Sequence, residues 1–252
     1  MDLHELVKHL NSTLRVAELP DYGSAVNGLQ LASRNGSVSK VAAAVDATLP
    51  VVRKAIAEGA DLLIVHHGMF WSGLQPWTGA AFERMSAAIE AGLAIYSAHL
   101  PLDAHPDLGN NARIAAALGL TPSGGFLNYK GLDVGVTCAA DLTVEEVTAR
   151  FSRALDGGRV HVCAGGPQIC RRIGISSGGS GSEVAAAAAA GVDTFLTGEG
   201  PHWSYTLAEE LGINVLYGGH YATETFGVKA LAMHLEEKFG LPWRFVDHPT
   251  GM

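Results

Sequence analysis

The chain has 252 residues, of which 48% are hydrophobic and 17% are charged. This composition predicts a folded globular protein with one large domain or two small ones, and it excludes a disordered chain. The formal net charge of −8, without a cluster of Lys and Arg residues, argues against partners that are nucleic acids or anionic membranes.

Apolar residues recur along the chain either at helical spacing or in short runs between turn residues. Helices are predicted over residues 2–15, 49–59, 82–92, 108–119, 143–155, 182–190, 205–211 and 223–239. Strands are predicted after the Asn27-Gly28 turn within 26–32, and over 38–48, 61–65, 94–98, 132–140, 170–177, 194–197, 214–217 and 243–248. This alternation of strands and helices predicts an α/β protein with largely parallel sheets.

The chain contains three cysteines, Cys138, Cys163 and Cys170, without CxxC spacing. This predicts neither a disulfide framework nor a thiolate zinc site, and a reduced compartment is the simplest interpretation. The N-terminal stretch is amphipathic and lacks the apolar core of a signal peptide. The longest apolar tract, residues 184–192, is too short to span a membrane. We therefore expect a cytoplasmic protein.

Two parts of the sequence resemble each other. Residues 55–71 align with residues 187–203, with matching Ala, Gly, Asp and Trp positions, and residues 92–99 resemble residues 212–220 with one extra residue. Shared Ala and Gly can arise by chance, but matched tryptophans and matched terminal histidines favour a repeat. We therefore predict two related α/β domains, the first from residues 1–125 and 220–252 and the second, inserted domain from residues 126–219.

Histidines occur where several predicted strands end. His66 and His67 directly follow the apolar run LLIV, and His99 and His220 follow two other strands. The repeat places Glu199 at the position equivalent to His67. Because the carboxyl ends of parallel strands form the ligand crevice of an α/β sheet, we expect these side chains to gather there.

His99 and His220 are each followed, four residues later, by a carboxylate: Asp103 and Glu224. In a helix this spacing places both side chains on one face, with Cβ atoms roughly 5–6 Å apart. The second pair opens the predicted last helix, whereas Pro101 favours a loop for the first pair. Imidazole and carboxylate ligands suit Zn, Fe, Mn or Co. The set exceeds what one tetrahedral ion takes, so it points to two divalent metal ions, an arrangement that fits hydrolysis.

Each of these residues also has a simpler interpretation. A lone histidine at a strand end is usually structural, and His-x3-Glu in a helix is often a solvated pair. His202 either lines the cavity or is an ordinary loop residue. The glycine-rich segment 176–183 either holds an anion with backbone N–H groups or forms a plain turn, which is favoured. The remaining histidines are expected to be surface or structural residues: His4, His9, His105, His161, His234 and His248.

Five segments resemble the NIF-three-like proteins, also called GTP cyclohydrolase 1 type 2 homologues. They are NGLQ (27–30), IVHHG (64–68), SAHLPLD (97–103), LTGE (196–199) and GGHYATE (218–224). The resemblance covers nearly the whole chain and implies two similar α/β domains, a dinuclear metal site in the cleft between them, and a toroidal homohexamer. The family's usual NSGLQ segment reads VNGLQ here, which leaves the role of Asn27 open.

Carried over onto this sequence, the resemblance implies the metal ligands His66, His67, Asp103, His220 and Glu224. His99 would lie close by, as a weak ligand or proton-transfer group. Glu199 and His202 would line the cavity.

These residues favour a metal-dependent hydrolase of a nucleotide or of a cyclic amide or amidine, in which His99 or Glu199 transfers protons. Two other functions would use the same ligands. One is a non-enzymatic protein that binds or delivers metal, and the other is a regulatory interaction protein with a structural metal.

Overall fold

The computed structural model describes residues 1–73 and 75–252. The chain forms two compact units, unit 1 from Met1–Leu102 and Gly227–His248, and unit 2 from Asp103–Phe226 and Pro249–Met252. The chain therefore passes between the units after Leu102, after Phe226 and after His248. The sequence predicts domain limits at residues 125 and 219. Among the described residues, no helix is both long enough and apolar enough to span a bilayer.

Unit 1 contains one sheet and several helices. Its elements are α1 (Leu3–Thr13), β1 (Gly28–Leu31), β2 (Val41–Asp46), α2 (Leu49–Ala57), β3 (Leu62–His67), α3 (Gly79–Ala91), β4 (Ala94–Ser97) and β11 (Trp243–Phe245). Two further helices, α4 (Leu100–Asp103) and α10 (Thr225–Phe239), contain residues of both units. The strand order is β1-β4-β3-β2-β11. Only β1 is antiparallel to its neighbour, so this sheet is largely parallel, as predicted.

The burial of the strands in the core of unit 1 explains why their sequences are continuous apolar runs. All six residues of β3 are buried, as are the four residues of β4. Leu63 and Val65 of β3 pack with Val52 of α2 and Ile95 of β4. A parallel strand that is covered on both faces needs apolar side chains at every position. Its polar residues are therefore confined to the strand end, where His66 and His67 lie.

Unit 2 contains a six-stranded sheet in the order β5-β6-β8-β9-β10-β7. Its elements are α5 (Asn110–Ala117), β5 (Pro122–Tyr129), β6 (Leu132–Thr143), α6 (Val144–Ala154), β7 (His161–Ala164), β8 (Ile169–Ile175), a 3₁₀ turn (Ser180–Glu183), α7 (Val184–Ala189), β9 (Thr194–Thr197), α8 (His202–Leu211), β10 (Asn214–Tyr217) and α9 (His220–Thr223). Only β8, β9 and β10 are mutually parallel.

The prediction of a largely parallel sheet is wrong for unit 2. β5 and β6 pair as a hairpin in which Tyr129 faces Leu132, so the loop consists of Lys130 and Gly131. Both loop residues have positive φ angles, 51° and 91°, as tight hairpin turns require. Such a short loop can join only antiparallel strands. Two strands of unit 2 were not predicted: β5, whose Gly124 and Gly125 are weak strand formers, and the four-residue strand β7.

The predicted repeat is confirmed in the local structure of both units. In each, a helix ends before a glycine with positive φ, Gly59 at 71° and Gly191 at 76°, and β3 or β9 follows. The N–H of Ala98 donates to the carbonyl of Val65 at 3.0 Å, and the N–H of Gly218 donates to the carbonyl of Thr197 at 2.8 Å. These two hydrogen bonds place Ala98 and Gly218 at equivalent positions of the repeat. The extra residue in 212–220 is therefore Gly219, which has a φ angle of 96°.

Candidate metal centre

Three histidines of unit 1 meet at the carboxyl ends of two neighbouring strands. His66 and His67 end β3, and His99 follows β4, which pairs parallel to β3. One ring nitrogen from each of the three lies within 4.8 Å of the others, and all three residues are buried. The structure therefore brings together two predicted ligands and the predicted proton-transfer histidine.

The Nδ1 atom of each of these imidazoles lies beside an acceptor oxygen. Nδ1 of His66 is 2.9 Å from the carbonyl oxygen of Ala98. Nδ1 of His67 is 2.9 Å from Oδ1 of Asp46, and Nδ1 of His99 is 2.8 Å from Oδ1 of Asp21. Because these oxygens accept, Nδ1 carries the proton in each neutral ring and the lone pair is on Nε2. This is the arrangement in which histidine binds metals, so the donor set fits a divalent ion.

Asp21 and Asn27 hold His99 from the loop that precedes β1. Oδ1 of Asn27 accepts from the N–H of His99 at 2.8 Å, and its Nδ2 donates to Oδ2 of Asp21 at 2.7 Å. Burial raises the pKa of Asp21, but the hydrogen bonds from His99, from Asn27 and from the Tyr22 N–H lower it by a larger amount. The net pKa lies below the ordinary value, so the carboxylate is ionised. Asn27 thus positions His99, which answers the question that its motif left open.

Gly68 is required where the chain leaves the two histidines. A Cβ atom there would lie 2.1 Å from Nε2 of Gln30. Gln30 accepts from the N–H of Met69 at 2.7 Å and donates to the carbonyl oxygens of Ala25 and Val26. The glutamine of the NGLQ segment therefore packs against the glycine of the HHG segment, and the two motifs form one local structure.

In unit 2, His220 lies between two carboxylates. Its Nδ1 is 2.8 Å from Oε1 of Glu199, and its Nε2 is 3.2 Å from Oε1 of Glu224. Burial alone lowers the pKa of His220, but Glu224 and then Glu199 raise it to about 9. The pair does not open one continuous helix as predicted: α9 ends at Thr223, and Glu224 is its C-cap and separates it from α10. A distance of 3.2 Å is about that between two ligands of one ion.

Asp103, the remaining predicted ligand, is buried in unit 2 among amide and hydroxyl donors. Its Oδ1 accepts from Nδ2 of Asn110 at 2.8 Å and from Oγ of Ser177 at 3.3 Å. It ends the helical turn α4, so the segment around Pro101 is helical and not the expected loop. These bonds fix the carboxylate, as hydrogen-bond partners commonly fix a metal ligand.

The glycine-rich segment 176–183 forms a turn, which is the favoured of its two interpretations. The N–H of Ser177 donates to Asn111, and the N–H of Gly178 donates to Oγ1 of Thr223. A Cβ atom on Gly178 would lie 2.2 Å from Oε1 of Glu224. The segment therefore packs its backbone against a carboxylate, a poor neighbour for a bound anion.

The other histidines lie elsewhere in their own units. His202 begins α8 and lines a cavity of about 490 Å³ together with Glu199, His161, Tyr205 and Tyr217. His9 and His234 stack on each other in unit 1. Sequence reasoning missed Asp21 and Asp46 as partners of the cluster. Asp46 ends the apolar run VAAAV, so the strand-end rule that found His66 could have found it.

Comparison with known proteins assigns the family. A family model described as Duf34/NIF3 (NGG1p interacting factor 3) matches residues 1–250. The chain belongs to the DUF34/NIF3 family. A family relative from Deinococcus radiodurans, named GTP cyclohydrolase 1 type 2 homolog, is 43% identical over 250 residues, which are 98% of this chain and 94% of the relative.

Solved structures agree with the DUF34/NIF3 assignment. Protein ybgI, described as of unknown function, is 34% identical with a TM-score of 0.91, and both chains are covered fully. The protein TTHA1606 from Thermus thermophilus is 40% identical with a TM-score of 0.87, again over both whole chains. The family resemblance and the α/β fold predicted from the sequence are therefore confirmed.

Proposed function

We propose that this protein binds two divalent metal ions in one dinuclear centre and uses them to hydrolyse a nucleotide or a cyclic amide or amidine. The metal ligands in this proposal are His66, His67, Asp103, His220 and Glu224. The non-enzymatic alternative is a DUF34/NIF3 protein that binds or delivers metal with the same ligands. We also propose that the protein is cytoplasmic and that it assembles into a toroidal homohexamer.

The observation that carries the proposal is the cluster of His66, His67 and His99. Three imidazoles have ring nitrogens within 4.8 Å of one another, and each holds Nδ1 beside an acceptor, which leaves Nε2 as the atom that would bind a cation. A structural role alone would not require three neighbouring buried histidines. Apolar side chains would fill the same space, and they have no ring nitrogens that need hydrogen-bond partners when buried. The pairing of His220 with Glu224 supplies further ligands from unit 2.

Bound divalent ions would supply Lewis acidity that stabilises negative charge on a substrate oxygen. The chain's own residues would orient the substrate and move protons. His99 can exchange a proton only at Nε2, because Nδ1 is held by Asp21. Glu199 already accepts from Nδ1 of His220, so it orients that ring and its second oxygen, Oε2, is the candidate for proton transfer.

Metal analysis of the purified protein tests the binding part of the proposal. We expect about two equivalents of Zn, Fe, Mn or Co per chain, and a clear loss in His67→Ala and in His220→Ala, which remove one ligand from each unit. His4→Ala is the matched control, because His4 is exposed on α1. Wild-type protein without bound metal, or equal metal content in all variants, would reject the metal centre.

Turnover separates the enzyme from the alternative. His99→Gln and Glu199→Gln should keep much of the metal but lose hydrolysis of a substrate found in a panel of nucleotides and cyclic amides. Absence of turnover with every metal, together with full metal binding, would favour a binding or delivery protein. Light scattering of the same preparation checks the homohexamer.

A further inference from the structure

A cavity of about 610 Å³ in unit 1 opens beside the three-histidine cluster. Its wall includes His67, Asp46, Phe70, Trp71, Trp77 and Arg84. The volume is that of sites for small organic ligands. Because His67 and its partner Asp46 form part of this wall, a ligand in the cavity would reach the proposed metal centre.

Two tryptophans, Trp71 and Trp77, line this cavity. The Trp71 ring lies 4.7 Å from the His67 ring and 4.5 Å from the His99 ring, measured between centroids. Trp71 and Trp77 are nonetheless 37% and 53% exposed. Exposed tryptophans that line a concave site favour a planar ligand, because a flat ring can stack on them and remove apolar surface from water.

Arg84 provides a positive charge that the fold does not neutralise. Its Nη1 donates to the carbonyl of Ala47 and its Nη2 to the carbonyl of Met69, both at 3.0 Å. Burial alone lowers its pKa, and no carboxylate pairs with it in the part of the chain that the structure describes. Two carbonyl bonds leave guanidinium donors unused and a whole charge uncompensated, which suits an anionic ligand group.

Asp46 adds a negative charge to the lining of the same cavity. Its Oδ1 accepts from His67, and its charge disfavours an anionic group beside it. A ring that carries N–H donors would suit Asp46, while an anionic substituent would suit Arg84.

We propose that this cavity is the substrate site and that it selects an anionic nitrogen heterocycle, of which a nucleoside monophosphate is the ordinary example. Arg84 holds the anionic group, Trp71 and Trp77 hold the ring, and Asp46 accepts from a ring N–H. This inference rests on the proposed function, since it names the substrate class of the same centre.

Calorimetric titration of the metal-free, full-length protein tests the inference with three probes: GMP, guanosine and inorganic phosphate. We expect saturable binding of GMP, at least about tenfold weaker binding of guanosine, and weaker binding still of phosphate. Arg84→Met should weaken GMP binding about 10- to 100-fold and leave guanosine unchanged. Trp77→Ala should weaken GMP and guanosine together, about tenfold. A merely structural role of Arg84 would affect both probes equally.

Matched controls come from the same chain. Arg53→Met removes an exposed arginine that pairs with Glu83, and Trp203→Ala removes the tryptophan that the repeat equates with Trp71. Both should bind GMP like the wild type. Arg84→Lys keeps the charge and should retain the preference for GMP over guanosine, which guards against misfolding of Arg84→Met.

The outcomes separate this inference from the proposed function. No saturable GMP binding, phosphate binding as tight as GMP binding, or equal affinities in wild type and Arg84→Met would overturn the inference. Arg84-dependent GMP binding without turnover under any metal would keep the inference and reject the hydrolase. Turnover of a nucleotide with unchanged KM in Arg84→Met would keep the hydrolase and reject the inference.

Discussion

Asp61 and Asp193 hold the same position in the two units. Each lies two residues after a glycine with positive φ, at the start of β3 or β9. The Asp61 carboxylate accepts from the N–H groups of residues 39 and 40, at 2.7 and 3.2 Å. The Asp193 carboxylate accepts from those of residues 171 and 172, both at 2.9 Å. The aspartates that match in the sequence therefore fix the start of one parallel strand beside the next.

The first prediction concerns Asp61→Asn and its dependence on pH. Burial raises the pKa of Asp61, but the hydrogen bonds from Ser39 and Lys40 lower it by a larger amount, so the net pKa lies below its ordinary value. A folded-state pKa below the unfolded one, about 3.9, stabilises the protein at higher pH, and this contribution is lost as pH falls through the folded value. We expect Asp61→Asn to lower the unfolding free energy by about 1 kcal/mol at neutral pH.

Urea unfolding at neutral pH and in acid measures this difference. The difference in unfolding free energy between wild type and Asp61→Asn should shrink as the pH falls below about 4, because the wild-type carboxylate then becomes protonated. Asp141→Asn is the control, because Asp141 is an exposed partner of Arg171 and should contribute little at either pH. A difference that stays constant with pH would contradict the assigned role of Asp61.

The second prediction concerns Asp21→Asn. Asparagine can still accept from Nδ1 of His99, but the substitution removes the negative charge beside the ring. His99 is the proton-transfer group and lies outside the proposed ligand set, so we expect turnover to fall about 10- to 100-fold while metal affinity stays near that of the wild type. Competition with a chromophoric chelator measures the affinity. Glu18→Gln, which removes a charge from an exposed pair with Arg15, should bind metal like the wild type. Unchanged turnover in Asp21→Asn, or a loss of metal affinity as large as that in His67→Ala, would contradict the proton-transfer role of His99.

The third prediction compares two glycines with similar φ angles. Gly59→Ala, at φ 71°, meets nothing within 4 Å and should cost only about 1 kcal/mol of backbone strain. Gly178→Ala, at φ 65°, adds a Cβ atom that displaces Oε1 of Glu224 from His220. We expect the larger loss of unfolding free energy in Gly178→Ala, because its Cβ also displaces a buried side chain, and weaker metal binding only in that variant. Unchanged metal content in that variant would show that the pair does not bind metal.

The fourth prediction concerns the cysteines, which are all free and buried. Burial raises the pKa of Cys138 to about 11, and burial is also the first cause of the raised pKa values of Cys163 and Cys170. Because the thiolate is the reactive form, native protein should react very slowly with Ellman's reagent at neutral pH. All the cysteine thiols should react in denaturant. Fast reaction of the native protein would indicate that the core around Cys138 opens.

Local patterns were sufficient for most helices and for the buried strands. The run LLIV predicts β3 because a strand buried on both faces needs continuous apolar residues, and Thr143 with Glu146 predicts the start of α6 because capping is local. The repeat could be detected in the sequence because both copies have Gly and Asp at equivalent positions. β5 was missed because its pairing with β6, and not its glycine-rich composition, makes it a strand.

The sequence by itself determined the fold class, the repeat, the family, and the histidines at the strand ends, because these follow from spacing along a short stretch of chain. Only the tertiary structure decided that Asp21, 78 residues before His99, holds that ring, and that Arg84 of α3 lies against the carbonyls of Ala47 and Met69. Such contacts join residues that carry no shared periodicity. They depend on how strands and helices pack, which no local pattern records.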